Sequence, residues 1–207
     1  MVRDYQARKY IFEQTFRYND SRLTNVLIKA FDIMFNNKEP DGCFSTSVAL
    51  HVILSSFGYA PKICYGKIIT SEKHQHYHAW LELDGKVLDL AVYGNSHFSP
   101  FWHDKPLGPV VFENYVDTPV CYKKQYFDND WTDCNIYQAI KMGSIAEYIS
   151  QAPSVNHPSR NGMWALIFSI LDETYTSTRR KELEHYACQE SFILDSSEID
   201  NQCKGAL

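Results

Sequence analysis

Three residues in the first half of the chain have the types that nucleophilic catalysis requires, and they are Cys43, His78 and Asp89. A cysteine attacks as the thiolate, and an isolated thiol is only slightly ionised at neutral pH. It therefore needs an imidazole to take its proton, and that imidazole needs a carboxylate to hold it in the correct tautomer. The three residues thus predict a nucleophile, a base and an orienting carboxylate, provided that the fold brings them together.

A helix is predicted to begin at Cys43 and to run to about residue 57. Its apolar residues surround much of its circumference, which is typical of a helix at the centre of a domain. Gly58 and Pro61 are expected to end it. In the first turn, unpaired N–H groups and the helix dipole favour the thiolate of Cys43. Gly42 would let a substrate backbone approach closely, and the backbone N–H of Cys43 is a candidate oxyanion donor.

A β-hairpin is predicted to bring the other two residues together. Residues 77–83 and 86–92 are rich in strand-forming side chains, and Asp84-Gly85 between them is typical of a two-residue hairpin turn. When residue 83 pairs with residue 86 and the pairing continues outward, Asp89 lies opposite Trp80, diagonal to His78 and on the same face. The other face is predicted to pack in the core, and it carries Ala79, Leu81, Leu88 and Leu90.

The rest of the chain predicts helices at both ends and strands in the middle, which indicates an α+β fold. The central helix that carries Cys43 would pack on an antiparallel sheet, with N- and C-terminal helices around it. Further helices are predicted over 3–17, from the capping residues 19–21 to 36–37, over 134–150 and over 163–185, and further strands over 62–69, 110–112 and 120–122. The segment 93–109 is predicted to be irregular, with aromatic side chains that either line a cleft or tuck under the sheet.

The expected organisation is a single domain with a tail. Residues 1–40 would form N-terminal helices that pack on the core, 41–125 the core itself, 126–190 C-terminal helices of the same domain, and 191–207 a polar tail.

Residues 42–94 resemble the transglutaminase-like superfamily, which has a papain-like core. The residues that carry the resemblance are Gly42-Cys43, Ala49-Leu50, Ile53-Leu54, 57–61, Gly66, 78–82 and Leu88-Asp89. The resemblance implies Cys43 as nucleophile, His78 as base and Asp89 as orienting residue. Cys43-Phe44 and residues 89–94 are also similar to arylamine N-acetyltransferases, although Pro40-Asp41 replaces the arginine and glycine usual there. The histidine–tryptophan segment is similar to lasso-peptide leader proteases.

These observations predict a cysteine-dependent hydrolase or acyltransferase that forms a thioester from an amide. The amide would be a peptide bond or a glutamine carboxamide in a peptide or protein substrate. Further candidates for substrate or oxyanion contact are Asn37, Gly42, Trp80 and Trp102. The end of a helix explains Asn37 equally well. The alternatives are a non-catalytic peptide- or protein-binding module that keeps the fold, and acyl transfer like that of the arylamine N-acetyltransferases.

This chemistry calls for no cofactor and no metal. Residues 128–133 carry alternating carboxylates but lack the glycine and the closing glutamate of a calcium loop, so they are predicted to cap a helix. His74, His76 and His78 alternate along a strand as zinc ligands would, but the sequence offers no evident fourth ligand.

Composition and charge exclude several classes of partner. A net charge of -5 argues against a nucleic-acid surface. No apolar run reaches the ~20 residues of a membrane-spanning helix, and the first residues do not resemble a secretory signal. The protein is therefore expected to be cytoplasmic, and its six cysteines, which form no CxxC pair, are expected to be free thiols.

Overall fold

The computed structural model describes residues 2–38, 42–70, 74–124, 145–151 and 162–188. These residues form seven α-helices, one short 3₁₀ helix and an antiparallel sheet of five strands, which confirms the predicted α+β class. The elements are α1 (Val2–Phe16), α2 (Ser21–Asn37), α3 (Cys43–Ser56), β1 (Lys62–Ile69), β2 (Gln75–Leu83), β3 (Lys86–Asp89), α4 (Ala91–Phe98), β4 (Val110–Glu113), the 3₁₀ helix (Tyr115–Asp117), β5 (Cys121–Lys124), α5 (Ile145–Gln151), α6 (Gly162–Leu171) and α7 (Ser177–Cys188).

Helix α3 is the central helix of the fold and begins at Cys43, as predicted. Its side chains are buried continuously from Thr46 to Leu54, because it contacts β2 on one side and α6 and α7 on another. The helix is capped at its C-terminus by Phe57, and Gly58 follows with the positive φ of 92° that glycine adopts without strain. The predicted arrangement of a central helix on an antiparallel sheet is therefore confirmed.

The five strands lie in the order β4–β3–β2–β1–β5. Leu83 pairs with Lys86 and Leu81 with Leu88, which is the predicted register. Between the two strands, Asp84 and Gly85 both have positive φ values, 52° and 74°. This is the backbone of a two-residue type I′ turn, whose twist matches that of the paired strands. The turn therefore fixes which residues of β2 and β3 share a face.

Both faces of the sheet are buried. The face toward α3 carries the predicted packing residues Ala79, Leu81, Leu88 and Leu90, which belong to the main core. The opposite face buries a second, smaller apolar cluster that includes Trp80, Val87, Val110 and Tyr122. Trp102 and Leu107, from the segment after α4, cover this cluster. The face that carries His78 thus forms a second, smaller core.

The predicted strand over 86–92 is wrong beyond Asp89, and the predicted irregular segment from residue 93 is helical as far as Phe98. The carboxylate of Asp89 accepts the backbone N–H of Val92 at 3.0 Å, so it caps the first turn of α4 and turns the chain out of the strand. Gly94, Asn95 and Ser96 are poor helix formers, and the sequence pattern therefore hides this helix.

The predicted long helix over 163–185 is wrong because it is two helices, α6 and α7. Asp172 lies between them with a positive φ of 57°, which ends α6. The hydroxyl of Thr176 accepts the backbone N–H of Arg179 at 3.1 Å and begins α7. Of the predicted helix over 134–150, the part from Ile145 is α5, and the remainder, like residues 128–133 and the tail, lies outside the described residues.

The expectation of free thiols is confirmed for Cys43 and Cys64 and is wrong for Cys121, which is disulfide-bonded. A disulfide depends on which cysteines the fold places side by side, and the spacing of cysteines in the sequence does not show this. In the part of the chain that the structure describes, no helix has the length and apolar character needed to cross a membrane.

Candidate active site

His78 and Asp89 form a buried pair. Nε2 of His78, in the middle of β2, lies 2.7 Å from Oδ2 of Asp89, the last residue of β3. Their side chains are 0% and 1% exposed. The hairpin register puts the two residues diagonally on one face, so the contact follows from the Asp84-Gly85 turn. Without water to screen it, a pair at this distance interacts strongly.

The carboxylate of Asp89 is held by two further hydrogen bonds. The hydroxyl of Tyr122, on β5, donates to Oδ2 at 2.8 Å, and the backbone N–H of Val92 donates to Oδ1 at 3.0 Å. Oδ2 of Asp89 accepts the Nε2–H of His78. This leaves Nδ1 of the ring as the nitrogen that can take or give a proton.

Cys43 is the neighbour of His78 on its remaining side. The thiol lies in the first turn of α3, and the residue is 6% exposed. Burial on its own lowers the pKa of His78, but the charge of Asp89 and the charge and hydrogen bond of Cys43 outweigh it and raise that pKa to about 10. Because Nε2 faces Asp89, Nδ1 is left for the thiol. The structure thus brings the three predicted residues together around one imidazole.

Three further residues of this site were not predicted. Tyr122 supports Asp89, and Asn95 on α4 places its Nδ2 3.3 Å from Nδ1 of His78. Tyr148 on α5 packs edge-on against Phe44, with ring centroids 4.5 Å apart. Burial and, to a smaller extent, the charge of Cys43 raise the pKa of Tyr148 to about 12. All three come from elements that the local sequence pattern does not connect to the site.

The four residues predicted to contact substrate or oxyanion lie in different environments. Gly42 caps α3 directly before Cys43, and its carbonyl oxygen accepts the backbone N–H of Thr46 at 2.9 Å. Asn37 is the exposed last residue of α2. Trp80 is completely buried and donates its Nε1–H to Tyr115 at 3.1 Å, so it offers no surface to a substrate here.

Trp102 is tucked against the sheet. It is 9% exposed, and its ring stacks on that of His76 with centroids 4.6 Å apart. The neighbouring Phe101 points outward and is 72% exposed. The segment therefore uses Trp102 to cover the strand beside His78.

The three alternating histidines are engaged separately. Nδ1 of His74 lies 3.1 Å from Oδ1 of Asp104, His76 stacks on Trp102, and His78 pairs with Asp89. Within the described ranges, no group of three or more His, Cys, Asp or Glu side chains is arranged to hold a metal ion.

Comparison with curated proteins and with solved structures finds no match to the chain. A family model does match, over a segment that extends from the end of α1 to the loop after α4 and contains Cys43, His78 and Asp89. As the sequence resemblance predicted, residues 17–103 match the transglutaminase-like superfamily, and this similarity indicates cysteine-dependent acyl transfer or hydrolysis.

Proposed function

We propose that this protein is a cysteine-dependent amide hydrolase or acyltransferase in which Cys43 is the nucleophile, His78 the general acid and base, and Asp89 the orienting carboxylate. The observation that carries the proposal is the fully buried His78–Asp89 pair at 2.7 Å, with Cys43 at the start of α3 as its other neighbour. A histidine that serves only for packing has no need of a buried carboxylate on one side and a thiol on the other.

In the first half of the reaction, the Cys43 thiolate attacks the carbonyl carbon of the amide. The backbone N–H of Cys43, in the first turn of α3, would donate to the oxygen that becomes negative. The carbon–nitrogen bond then breaks, and Nδ1–H of His78 protonates the departing nitrogen. The products are a thioester on Cys43 and a free amine, or ammonia when the substrate is a glutamine carboxamide.

In the second half, water or an amine attacks the thioester, and Nδ1 of His78 takes its proton. The carbon–sulfur bond breaks, which releases an acid or a new amide and restores Cys43. Asp89 keeps Nε2–H as the donor throughout, so that Nδ1 remains the reactive nitrogen. The substrate that suits these steps is an amide in a peptide or protein.

Selective alkylation tests the roles of the three residues. Iodoacetamide at about pH 6, below the pKa of an ordinary thiol, should modify Cys43 ahead of the other cysteines, because only a stabilised thiolate reacts there. His78→Ala should slow this reaction several-fold, and Asp89→Asn should slow it less. The matched control is His76→Ala, which removes the imidazole two residues along the same strand that stacks on Trp102. Equal labelling of Cys43 in all four chains would instead support the non-catalytic binding module.

Turnover identifies the type of reaction. A glutamine-containing peptide incubated with the protein, with and without a primary amine, should show deamidation, an amine adduct or a cleaved peptide bond by mass spectrometry. Cys43→Ala should abolish whichever product appears. Transfer from an acetyl thioester to an arylamine, without any peptide product, would favour the acetyltransferase-like alternative.

A further inference from the structure

Asn95 makes an unusual contact with the reactive nitrogen of the site. Its Nδ2 lies 3.3 Å from Nδ1 of His78, while its Oδ1 is buried and has no hydrogen-bond partner. A buried amide oxygen without a donor is unfavourable, so this orientation of the amide is not anchored at its oxygen end. Which end of an amide faces a histidine is an assignment that depends on the protonation of the ring.

The proposed reaction requires Nδ1 to exist in two states. When Nδ1 is bare, an N–H of Asn95 can donate to it. When Nδ1 carries a proton, two donors would face each other, and the contact is favourable only if the amide presents its oxygen. A rotation of the Asn95 amide by half a turn exchanges the two ends without moving the backbone.

We propose that Asn95 is a positioning residue whose amide presents N–H to the bare Nδ1 of His78 and C=O to the protonated Nδ1. It would thereby hold the ring in the same place in both halves of the reaction. This inference rests on the catalytic roles proposed above, because only a ring that gains and loses a proton needs a partner of both kinds.

The backbone around Asn95 is well anchored, which such a role requires. The hydroxyl of Ser96 donates to the carbonyl oxygen of Tyr93 at 3.0 Å and accepts the N–H of Leu107 at 2.9 Å. Helix α4 is therefore tied to the following segment beside the amide. A fixed backbone with an amide that turns in place keeps the distance to His78 constant while the hydrogen-bond polarity changes.

Four other groups face His78 or act through a group that does. Asp89 from β3 and Cys43 from α3 favour its protonated form, and Tyr122 from β5 acts through the Asp89 carboxylate. His76, on the same strand, opposes protonation as a like charge. Cys43 and Asp89 together raise the pKa of His78 above its ordinary value. Cys43 and Asp89 therefore favour a protonated Nδ1, and this is the state in which the oxygen of Asn95 is needed.

The test is the titration of His78 in full-length chains that carry Cys43→Ala, followed by NMR of ¹⁵N-labelled histidine rings. The Cys43→Ala substitution leaves Asn95 as the nearest partner of Nδ1 and removes one of the groups that raise the pKa of His78. Absence of one signal in a His78→Gln chain identifies the His78 ring. Asn95→Leu should lower the pKa of His78 by about one unit because an acceptor for the charged ring is lost. Asn95→Asp should raise it because a carboxylate favours the imidazolium.

Shifts of the His78 pKa in opposite directions in the two variants would support the positioning role, since general loosening of the fold would shift that pKa in the same direction in both. An unchanged titration in both variants, or equal shifts of the same sign, would overturn it. If Asn95→Leu does not fold, Asn95→Ala takes its place. The proposed function is contradicted by a different result, namely an unreactive Cys43 in the unaltered chain. The titration of His78 can still be measured in that case, because it is followed in chains that carry Cys43→Ala.

Discussion

Replacing Asp89 by asparagine should separate the effect of the carboxylate's charge from the effect of its shape, because asparagine keeps the shape and removes the charge. Oδ2 accepts from both His78 and Tyr122, and Oδ1 accepts the N–H of Val92. An asparagine that keeps its oxygen toward Val92 turns its NH₂ toward His78. The ring must then accept at Nε2 and carry its proton at Nδ1, where it can no longer take a proton from Cys43.

The effect on stability depends on pH in a definite direction. In the unaltered chain the pKa of His78 rises from 6.5 to about 10 on folding. The pair therefore stabilises the fold fully below 6.5, and this contribution is lost as the pH rises through about 10. In the Asp89→Asn variant the largest cause that raises the pKa of His78 is removed, whereas burial, which lowers that pKa, remains. The variant should thus be less stable by about 3 to 5 kcal/mol in weak acid, where a buried imidazolium would have lost its carboxylate partner.

Urea unfolding at about pH 6 and at about pH 9.5 measures the difference in the free energy of unfolding between the unaltered chain and the Asp89→Asn variant. This difference should be clearly larger at the lower pH. The matched control is Glu82→Gln, because Glu82 lies on β2 like His78. Its carboxylate accepts hydrogen bonds from Lys124 at 2.7 Å and from Tyr115 at 2.8 Å. That pair is partly exposed, at 14% and 24% of the side chains. Its loss should cost about 1 kcal/mol at both pH values and leave alkylation of Cys43 unchanged.

Two results would refute the reasoning. A destabilisation by Asp89→Asn that is the same at both pH values would mean that His78 does not hold its proton through the carboxylate. Alkylation of Cys43 that slows equally in the Glu82→Gln control would mean that the thiol responds to general loosening of the sheet.

Three other predictions concern the hydroxyl behind the carboxylate, the second thiol and metals. Tyr122→Phe removes a buried donor to Asp89, so it should lower the free energy of unfolding in urea by about 1.5 to 3 kcal/mol and slow the alkylation of Cys43. Tyr115→Phe removes a hydrogen bond to Glu82, so it should lower the free energy of unfolding without slowing the alkylation of Cys43. Burial raises the pKa of Cys64 to about 12, so mass spectrometry should find it unmodified by iodoacetamide in the folded chain and modified in urea. Dialysis against a chelator should leave peptide turnover unchanged, and a loss restored by zinc or calcium would contradict the thiolate mechanism.

The part of the site that depends on short stretches of sequence was predictable. Gly42 before an apolar run located the start of α3 and therefore Cys43. The Asp84-Gly85 turn fixed the pairing of β2 and β3, and with it the side on which His78 and Asp89 lie. In each case the physical rule acts over a few residues, so no knowledge of the rest of the fold was needed.

The partners that come from distant or atypical segments were not predictable. Tyr122 reaches Asp89 only because β5 pairs with β1, and the strand pattern of residues 120–122 does not say where in the sheet the strand lies. Asn95 reaches His78 because α4 replaces the predicted end of the strand, and its glycine, asparagine and serine conceal the helix. The disulfide at Cys121 likewise depends on proximity in space.

The position of β5 in the sheet also has a consequence for the order in which we expect the site to assemble. The hairpin of β2 and β3 joins neighbouring segments and closes a short loop, whereas β5 must pair residues 121–124 with residues 66–69 across a much longer stretch of chain. Contacts between distant segments form late because the loop entropy must be overcome first. We therefore expect a chain emerging during synthesis to have the His78–Asp89 contact before Tyr122 arrives to complete it. The reactivity proposed for Cys43 would then be complete only when the sheet is finished.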